Sequence, residues 1–226
     1  MSGLGMLALA SVAFVGIHFL LSHPLRAPLV KAVGEGPLAG LYSLVALATF
    51  GWMIWVYPGA SAESYPLWDA GRWGFVAATL LMWLGSVLFM GSLRRNPAFP
   101  RPGKPIGRID EPNGVYSITR HPMMWGFTLW AATHAIVNPT QASLILCAAI
   151  AFLALVGAAL QDVKKQKLLG PVWREWTGKT SFIPYGRGLR SADGFALVTG
   201  TLIWLGATWA HGALGYRPAG VWAFFP

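Results

Sequence analysis

The fold of this chain is decided by residues 114–138, which read GVYSITRHPMMWGFTLWAATHAIVN. The stretch begins as a polar turn, passes through the charged triplet Arg-His-Pro at 120–122, and continues as an apolar run. Proline is favourable in the first turn of a helix, so the triplet predicts a helix start. The Asn-Pro pair at 138–139 ends the run. The pattern therefore predicts an apolar helix over 122–137 that carries His134 in its last turn.

The composition is that of a membrane protein. Of the 226 residues, 55% are hydrophobic and 11% are charged, whereas soluble globular domains carry about 25% charged residues. The mean hydropathy of +0.52 agrees. The formal net charge is +9, which in a soluble protein would suggest nucleic acid. In membrane proteins basic residues collect in cytoplasmic loops, so the expected partner is the lipid bilayer and not nucleic acid.

Six apolar runs approach or reach the length of a transmembrane helix, which is about 20 residues. They lie at 4–21, 38–57, 73–93, 122–137, 142–160 and 195–214. The predicted fold is therefore all-α: a polytopic integral membrane protein with about six transmembrane helices. No internal repeat is evident, and a single domain over residues 1–226 is expected.

The distribution of lysine and arginine predicts the orientation of these helices. The loops that follow the first, third and fifth runs hold 15 of the 17 basic residues. Short cytoplasmic loops carry such an excess of positive charge. The prediction is a multi-pass protein of the bacterial inner membrane with both termini outside.

Three of the five histidines, His18, His134 and His211, fall inside apolar runs. An ionisable residue within a membrane is by default a functional candidate, because burying it unpaired is costly. Two imidazoles from different helices can ligate a haem iron, and depth counted along the runs favours His134 with His211. The alternative is that each histidine donates a hydrogen bond to the carbonyl of a neighbouring helix.

The turn before the fourth run offers a second kind of site. Arg120 and His121 precede a helix N-terminus, where an anionic group is favoured by the backbone N–H groups and the helix dipole. The alternative is an arginine that snorkels to the membrane surface beside an interfacial histidine. Because His121 and His134 are 13 residues apart, they are separated by about 20 Å along an ideal helix. His134 is the haem candidate and His121 is not.

These residues carry a resemblance to the NnrU family of bacterial membrane proteins, which is related to the zeta-carotene isomerase of plants and cyanobacteria. The matching positions are His18, Pro24-Leu25-Arg26, Gly114-Val115-Tyr116, residues 118–122, Trp130 to His134, and Asp162 with the later tryptophans and Pro184. The resemblance implies a link to denitrification and nitric-oxide metabolism. The plant relative is a haem b enzyme that isomerises a cis double bond, and its proposed axial histidines match His18 and His134. Ala131 stands where that relative has a cysteine that is proposed to exchange with the second histidine ligand.

A second resemblance is to membrane methyltransferases of the isoprenylcysteine type. It rests on RHPMMWG at 120–126 and on the segment from Asp162 to Tyr185. In those enzymes this region holds S-adenosylmethionine. Here Gln161-Asp162 replaces their acidic pair and Met124 replaces a tyrosine, which favours shared ancestry of the fold over a preserved methyltransferase site.

The resulting expectation is a haem b protein whose iron is bound by His18 and His134. Arg26 or Arg120 would pair with the haem propionates, and the substrate would be a lipophilic polyene. One alternative is binding of S-adenosylmethionine through Arg120, His121 and the segment that begins at Asp162. Another is a non-enzymatic membrane factor that supports the assembly of nitric-oxide reductase.

Overall fold

The structure, a computed structural model, describes residues 1–94 and 111–224. Within these two ranges every regular element is helical, which confirms the all-α prediction. The helices are α1 (Gly3–Ser22), α2 (Arg26–Val33), α3 (Glu35–Ala62), α4 (Gly71–Ser92), α5 (Val115–Ile118), α6 (Pro122–Val137), α7 (Gln141–Leu169), α8 (Pro171–Lys179) and α9 (Gly194–Ala213), followed by a short 3-10 helix at Val221–Phe224.

Two helices extend beyond the apolar runs that predicted them. Helix α3 was expected to end at Tyr57, before Pro58-Gly59, but it continues to Ala62. Proline removes only its own N–H donor and crowds one carbonyl, and a transmembrane helix tolerates it when its surroundings compensate. Helix α7 was expected to end at Leu160, but it continues to Leu169 through a charged segment. It stops where Gly170 takes a φ of +51° before Pro171.

Four of the helices in the described residues are long and apolar enough to cross a membrane: α1, α3, α4 and α7. Many of their large apolar side chains are exposed, for example Val12 on α1 (70%), Leu44 on α3 (68%) and Trp73 on α4 (80%). Such apolar surface is costly in water and is accommodated by lipid. The fold is therefore that of a membrane protein.

The chain divides into two compact units, and α7 contributes to both. The first unit consists of Met1–Asp69 with Asn138–Leu153, and the second consists of Ala70–Val137 with Ala154–Pro226.

In the first unit α1 packs along α3. A Cβ on Gly3 would lie 2.7 Å from the backbone of Gly59, so glycine permits the close approach. The carboxylate of Glu63 accepts hydrogen bonds from the backbone N–H groups of Gly3 (2.8 Å) and Leu4 (3.2 Å). These are donors that the first turn of a helix leaves without intrahelical partners. They hold the pKa of the Glu63 carboxyl below its usual value.

In the second unit α4 packs against both α6 and α9. Glycines bring these helices close: a Cβ on Gly126 of α6 would lie 3.0 Å from the carbonyl oxygen of Gly85, and one on Gly200 of α9 would lie 2.5 Å from Cα of Val87. Small residues at such crossings are the usual means of helix association in membranes. The core beside α4 is a cluster of buried side chains: Val87, Leu88, Val115, Tyr116, Ile118, Trp173, Trp176 and Ala196.

Candidate functional site

The three histidines inside apolar helices share one arrangement. The Nδ1 atom lies 2.6 Å from the Phe14 carbonyl oxygen in His18, 2.8 Å from that of Trp130 in His134, and 2.7 Å from that of Ala207 in His211. A carbonyl oxygen can only accept a hydrogen bond, so each Nδ1 carries the proton. In the neutral imidazole Nε2 then carries the lone pair, which is the atom through which such a ring binds a metal.

His18 belongs to the first unit and is surrounded by aromatic rings. Its side chain is buried, with the ring centroid of Phe14 at 4.4 Å and that of Tyr42 at 5.4 Å. Phe14 lies one turn earlier on α1 and Tyr42 comes from α3. The packing of these two helices therefore holds the imidazole in place.

His134 belongs to the second unit, where it lies beside a tryptophan and a second histidine. The indole ring of Trp130 lies 4.0 Å from the imidazole, centroid to centroid, and the ring of His211 lies 6.3 Å away. The contact with Trp130 follows from the helix, because residues four apart lie on the same face. The contact with His211 joins α6 to α9. Depth counting along the sequence favoured this pair, and the structure places the two rings together.

The turn before α6 carries a closed hydrogen-bonded network of an arginine, a histidine and an aspartate. Arg120 donates to Oδ2 of Asp162 from Nε (2.8 Å) and from Nη2 (2.6 Å). His121, which is 3% exposed, places Nε2 2.8 Å from Oδ1 of the same carboxylate. Asp162 lies on the part of α7 beyond its apolar run. The structure thus brings together three residues that the sequence had singled out, and it gives each charge a partner among them.

The backbone of residues 181–185 fixes this network. The Arg120 N–H donates to the carbonyl of Ser181 (2.8 Å), while the Thr119 hydroxyl (2.7 Å) and the Trp125 indole N–H (2.8 Å) both donate to the carbonyl of Phe182. The guanidinium carbon of Arg120 lies 5.4 Å from the centroid of the Phe182 ring. The turn is therefore pinned by a segment about 60 residues later.

Sequence reasoning missed the part played by Ser181 and Phe182. Both act mainly through backbone carbonyls, and a carbonyl leaves no signal in residue identity. The structure marks the same segment at Tyr185, which takes a φ of +62°, an uncommon backbone conformation for a residue other than glycine. Its N–H donates to the carbonyl of Ile118 (3.0 Å) and closes the contact.

Arg26, expected as a partner for haem propionates, has a carboxylate partner within the first unit. Its Nη2 atom lies 3.0 Å from Oε1 of Glu35, and both side chains are partly exposed. A partly exposed ion pair of this kind contributes little to stability, so it can exchange for another anionic group at small cost.

Within residues 1–94 and 111–224 no group of three or more histidine, cysteine, aspartate or glutamate side chains is placed to hold a metal ion. A tetrahedral zinc site requires three or four such ligands. An iron in a macrocycle requires only one or two axial ligands from the protein. The described residues offer single imidazoles, those of His18, His134 and His211, whose Nδ1 atoms are hydrogen-bonded. Such isolated ligands fit an iron in a macrocycle better than a zinc site.

The fold and these sites define an all-helical membrane protein with histidines set into its apolar helices. Comparison with family models identifies it further: the model described as NnrU protein matches residues 6–218. The chain belongs to the NnrU family, which confirms the resemblance seen in its motifs. No curated protein matches the chain, and no solved structure does.

Proposed function

We propose that this protein binds haem b within the membrane, with Nε2 of His134 as an axial ligand to the iron. The observation that carries the proposal is the shared hydrogen bond from Nδ1 to the carbonyl four residues earlier. That bond fixes the tautomer and the direction of the ring, as outer-sphere partners do for metal-bound histidines. The family resemblance supports it, since the related isomerase binds haem and matches the chain at His18 and His134.

The second ligand has two candidates in the chain. His18, which the resemblance favours, is held among aromatic rings in the first unit, and His211 lies beside His134 in the second. Bound haem would supply one-electron chemistry or an open position for a small ligand. The chain supplies the imidazoles, their orientation and a water-poor surrounding of aromatic and aliphatic side chains.

The substrate that fits this setting is lipophilic or small and uncharged. Exposed apolar faces on α1, α3 and α4 border the lipid, so a molecule dissolved in the bilayer reaches the helices without crossing water. A cis-polyene, as in the isomerase relative, or nitric oxide, as the family's link to denitrification implies, meets this description. We assign the network of Arg120, His121 and Asp162 a structural role, because each of its charges has its partner within it.

Haem binding is tested with the full-length protein purified in mild detergent and reconstituted with haem. We expect a Soret band in the wild type and its loss, or a drop of at least about tenfold in haem affinity, in His134→Ala. His23→Ala serves as the control, because His23 lies at the end of α1 and not within an apolar helix. A wild-type protein that shows no Soret band after reconstitution would contradict the proposal.

We further propose that all six predicted helices cross the inner membrane, with both termini in the periplasm. Helices α6 and α9 then complete the set with 16 and 20 residues. At 1.5 Å per residue, α6 is about 24 Å long, so its polar ends must lie close to the membrane surfaces. The basic residues support the orientation, since 15 of the 17 fall in the three loops that would face the cytoplasm.

This orientation predicts which surface cysteines are labelled in intact cells. With the buried Cys147 replaced by alanine, Ser61→Cys should react with a membrane-impermeant maleimide and Ser191→Cys should react only after the cells are opened. If α6 and α9 did not cross, the segment that carries Ser191 would lie on the same side as Ser61. Equal labelling at both positions in intact cells would therefore overturn the six-helix topology.

A further inference from the structure

We infer that His211 is the second axial ligand, so that the haem iron lies between His134 of α6 and His211 of α9. The inference rests on the proposed haem binding and deepens it by naming the pair. The family resemblance gave no role to His211, whereas depth counted along the sequence favoured it as the partner of His134, and the geometry of the second unit supports that pair.

The distance between the two rings fits a shared metal. Metal–imidazole bonds of about 2.0 Å on opposite sides of one ion place the two ring centroids about 6 Å apart. The rings of His134 and His211 lie 6.3 Å apart, centroid to centroid. The separation of the two rings therefore matches that of two imidazoles bound to one metal ion.

Each ring is also in the right chemical form. Both Nδ1 atoms donate to carbonyls of their own helices, so in the neutral imidazole Nε2 is the nitrogen that can bind a metal. Within the described part of the chain, neither Nε2 has a hydrogen-bond partner. His211 is exposed on the surface of α9. A bond to iron would give its Nε2 atom a partner.

Contacts with neighbouring positions along α4 lie close to both histidines in the sequence. The hydroxyl of Thr133, the residue before His134, lies 3.4 Å from the carbonyl of Ala78. The chain beyond α9 returns to the same part of α4, where the guanidinium carbon of Arg217 lies 3.9 Å from the centroid of the Phe75 ring. Phe75 and Ala78 are one helical turn apart. The approach of the two imidazoles is therefore supported by contacts on both sides of the pair.

The ligand pair is read from the spin state of the reconstituted protein by absorption and electron paramagnetic resonance. Two imidazoles make the iron six-coordinate and low-spin, so the wild type and His18→Ala should both show the low-spin signal. His211→Ala should lose that signal and become five-coordinate and high-spin. Added imidazole should restore the low-spin form in His211→Gly by entering the space that the side chain leaves.

A second variant keeps the test independent of folding. His211→Met retains an axial donor atom, and a thioether ligand raises the reduction potential. We expect a low-spin spectrum with a higher midpoint potential than the wild type, at an unchanged melting temperature. A low-spin wild type whose signal survives His211→Ala and is lost in His18→Ala would overturn the inference and leave haem binding intact. A wild type without any haem spectrum would overturn both.

Discussion

Replacing Asp162 with asparagine is expected to destabilise the protein more than any substitution on its exposed surface. The carboxylate is the common partner of Arg120 and His121, whose side chains are 14% and 1% exposed. Without it a guanidinium is left partly buried and uncompensated, which typically costs about 3–5 kcal/mol. For a chain of this size we expect a drop in melting temperature on the order of 10 °C, measured by thermal unfolding in detergent.

A matched exposed ion pair provides the control. Glu111 accepts a hydrogen bond from Nζ of Lys179 at 2.6 Å, with its own side chain 77% exposed. The pKa of the Lys179 ammonium lies above its usual value because Glu111 and Glu175 both accept hydrogen bonds from it. Exposed pairs contribute about 0–1 kcal/mol, and Glu175 still partners Lys179 in Glu111→Gln. Glu111→Gln should therefore leave the melting temperature almost unchanged.

A double-mutant cycle separates the network from other effects of the substitution. If Arg120 and Asp162 act through each other, Arg120→Gln and Asp162→Asn together should cost clearly less than the sum of the two single changes. Additive costs, or an Asp162→Asn protein as stable as the wild type, would show that the network does not hold the turn.

Replacing Gly200 with alanine is the second substitution with a large expected effect. The added Cβ would lie 2.5 Å from Cα and 2.8 Å from the backbone nitrogen of Val87. Backbone atoms cannot turn aside as a side chain does, so α9 would have to move away from α4. Overpacking of this kind costs about 1–3 kcal/mol or more. The contact between the Trp83 indole N–H and the Thr201 hydroxyl, now 3.0 Å, should weaken at the same time.

The control for Gly200 lies on the same helix. A Cβ on Gly206 would meet nothing within 4 Å, and alanine is the better helix former by up to about 1 kcal/mol. Gly206→Ala should therefore be neutral or stabilising, whereas Gly200→Ala lowers the melting temperature. If Gly200→Ala is also neutral or stabilising, helix propensity rather than the α4–α9 crossing determines the result.

The sequence predicted helix ends well where a proline or an Asn-Pro pair starts or stops the helix. Helix α6 begins at Pro122 and ends at Val137, as the proline in its first turn and the Asn-Pro pair after it predicted. The end of α7 was predicted too early because charge was taken to end the helix. In fact Asp162 ends only the apolar run, and its carboxylate is hydrogen-bonded to Arg120 and His121. The helix continues beyond it as a polar segment.

The pairing within the candidate sites was less accessible from the sequence. Arg120, His121 and Asp162 were each singled out, but 42 residues separate Arg120 from Asp162, and no spacing rule links a turn to the face of a later helix. The partnership of His134 with His211 could be anticipated because depth in a membrane is countable along each helix. The contacts of Phe182 could not, because they depend on a carbonyl oxygen and a ring in an irregular segment.

The bond between Glu63 and the start of α1 has a consequence for how the protein is made. The N–H groups of Gly3 and Leu4 are synthesised well before the Glu63 carboxylate that accepts their hydrogen bonds. Once Glu63 has emerged, the pair formed by α1 and α3 contains the partners for its own terminal amides. This helix pair therefore caps its own first turn with a residue of the first unit, and closing it requires no residue of the second unit.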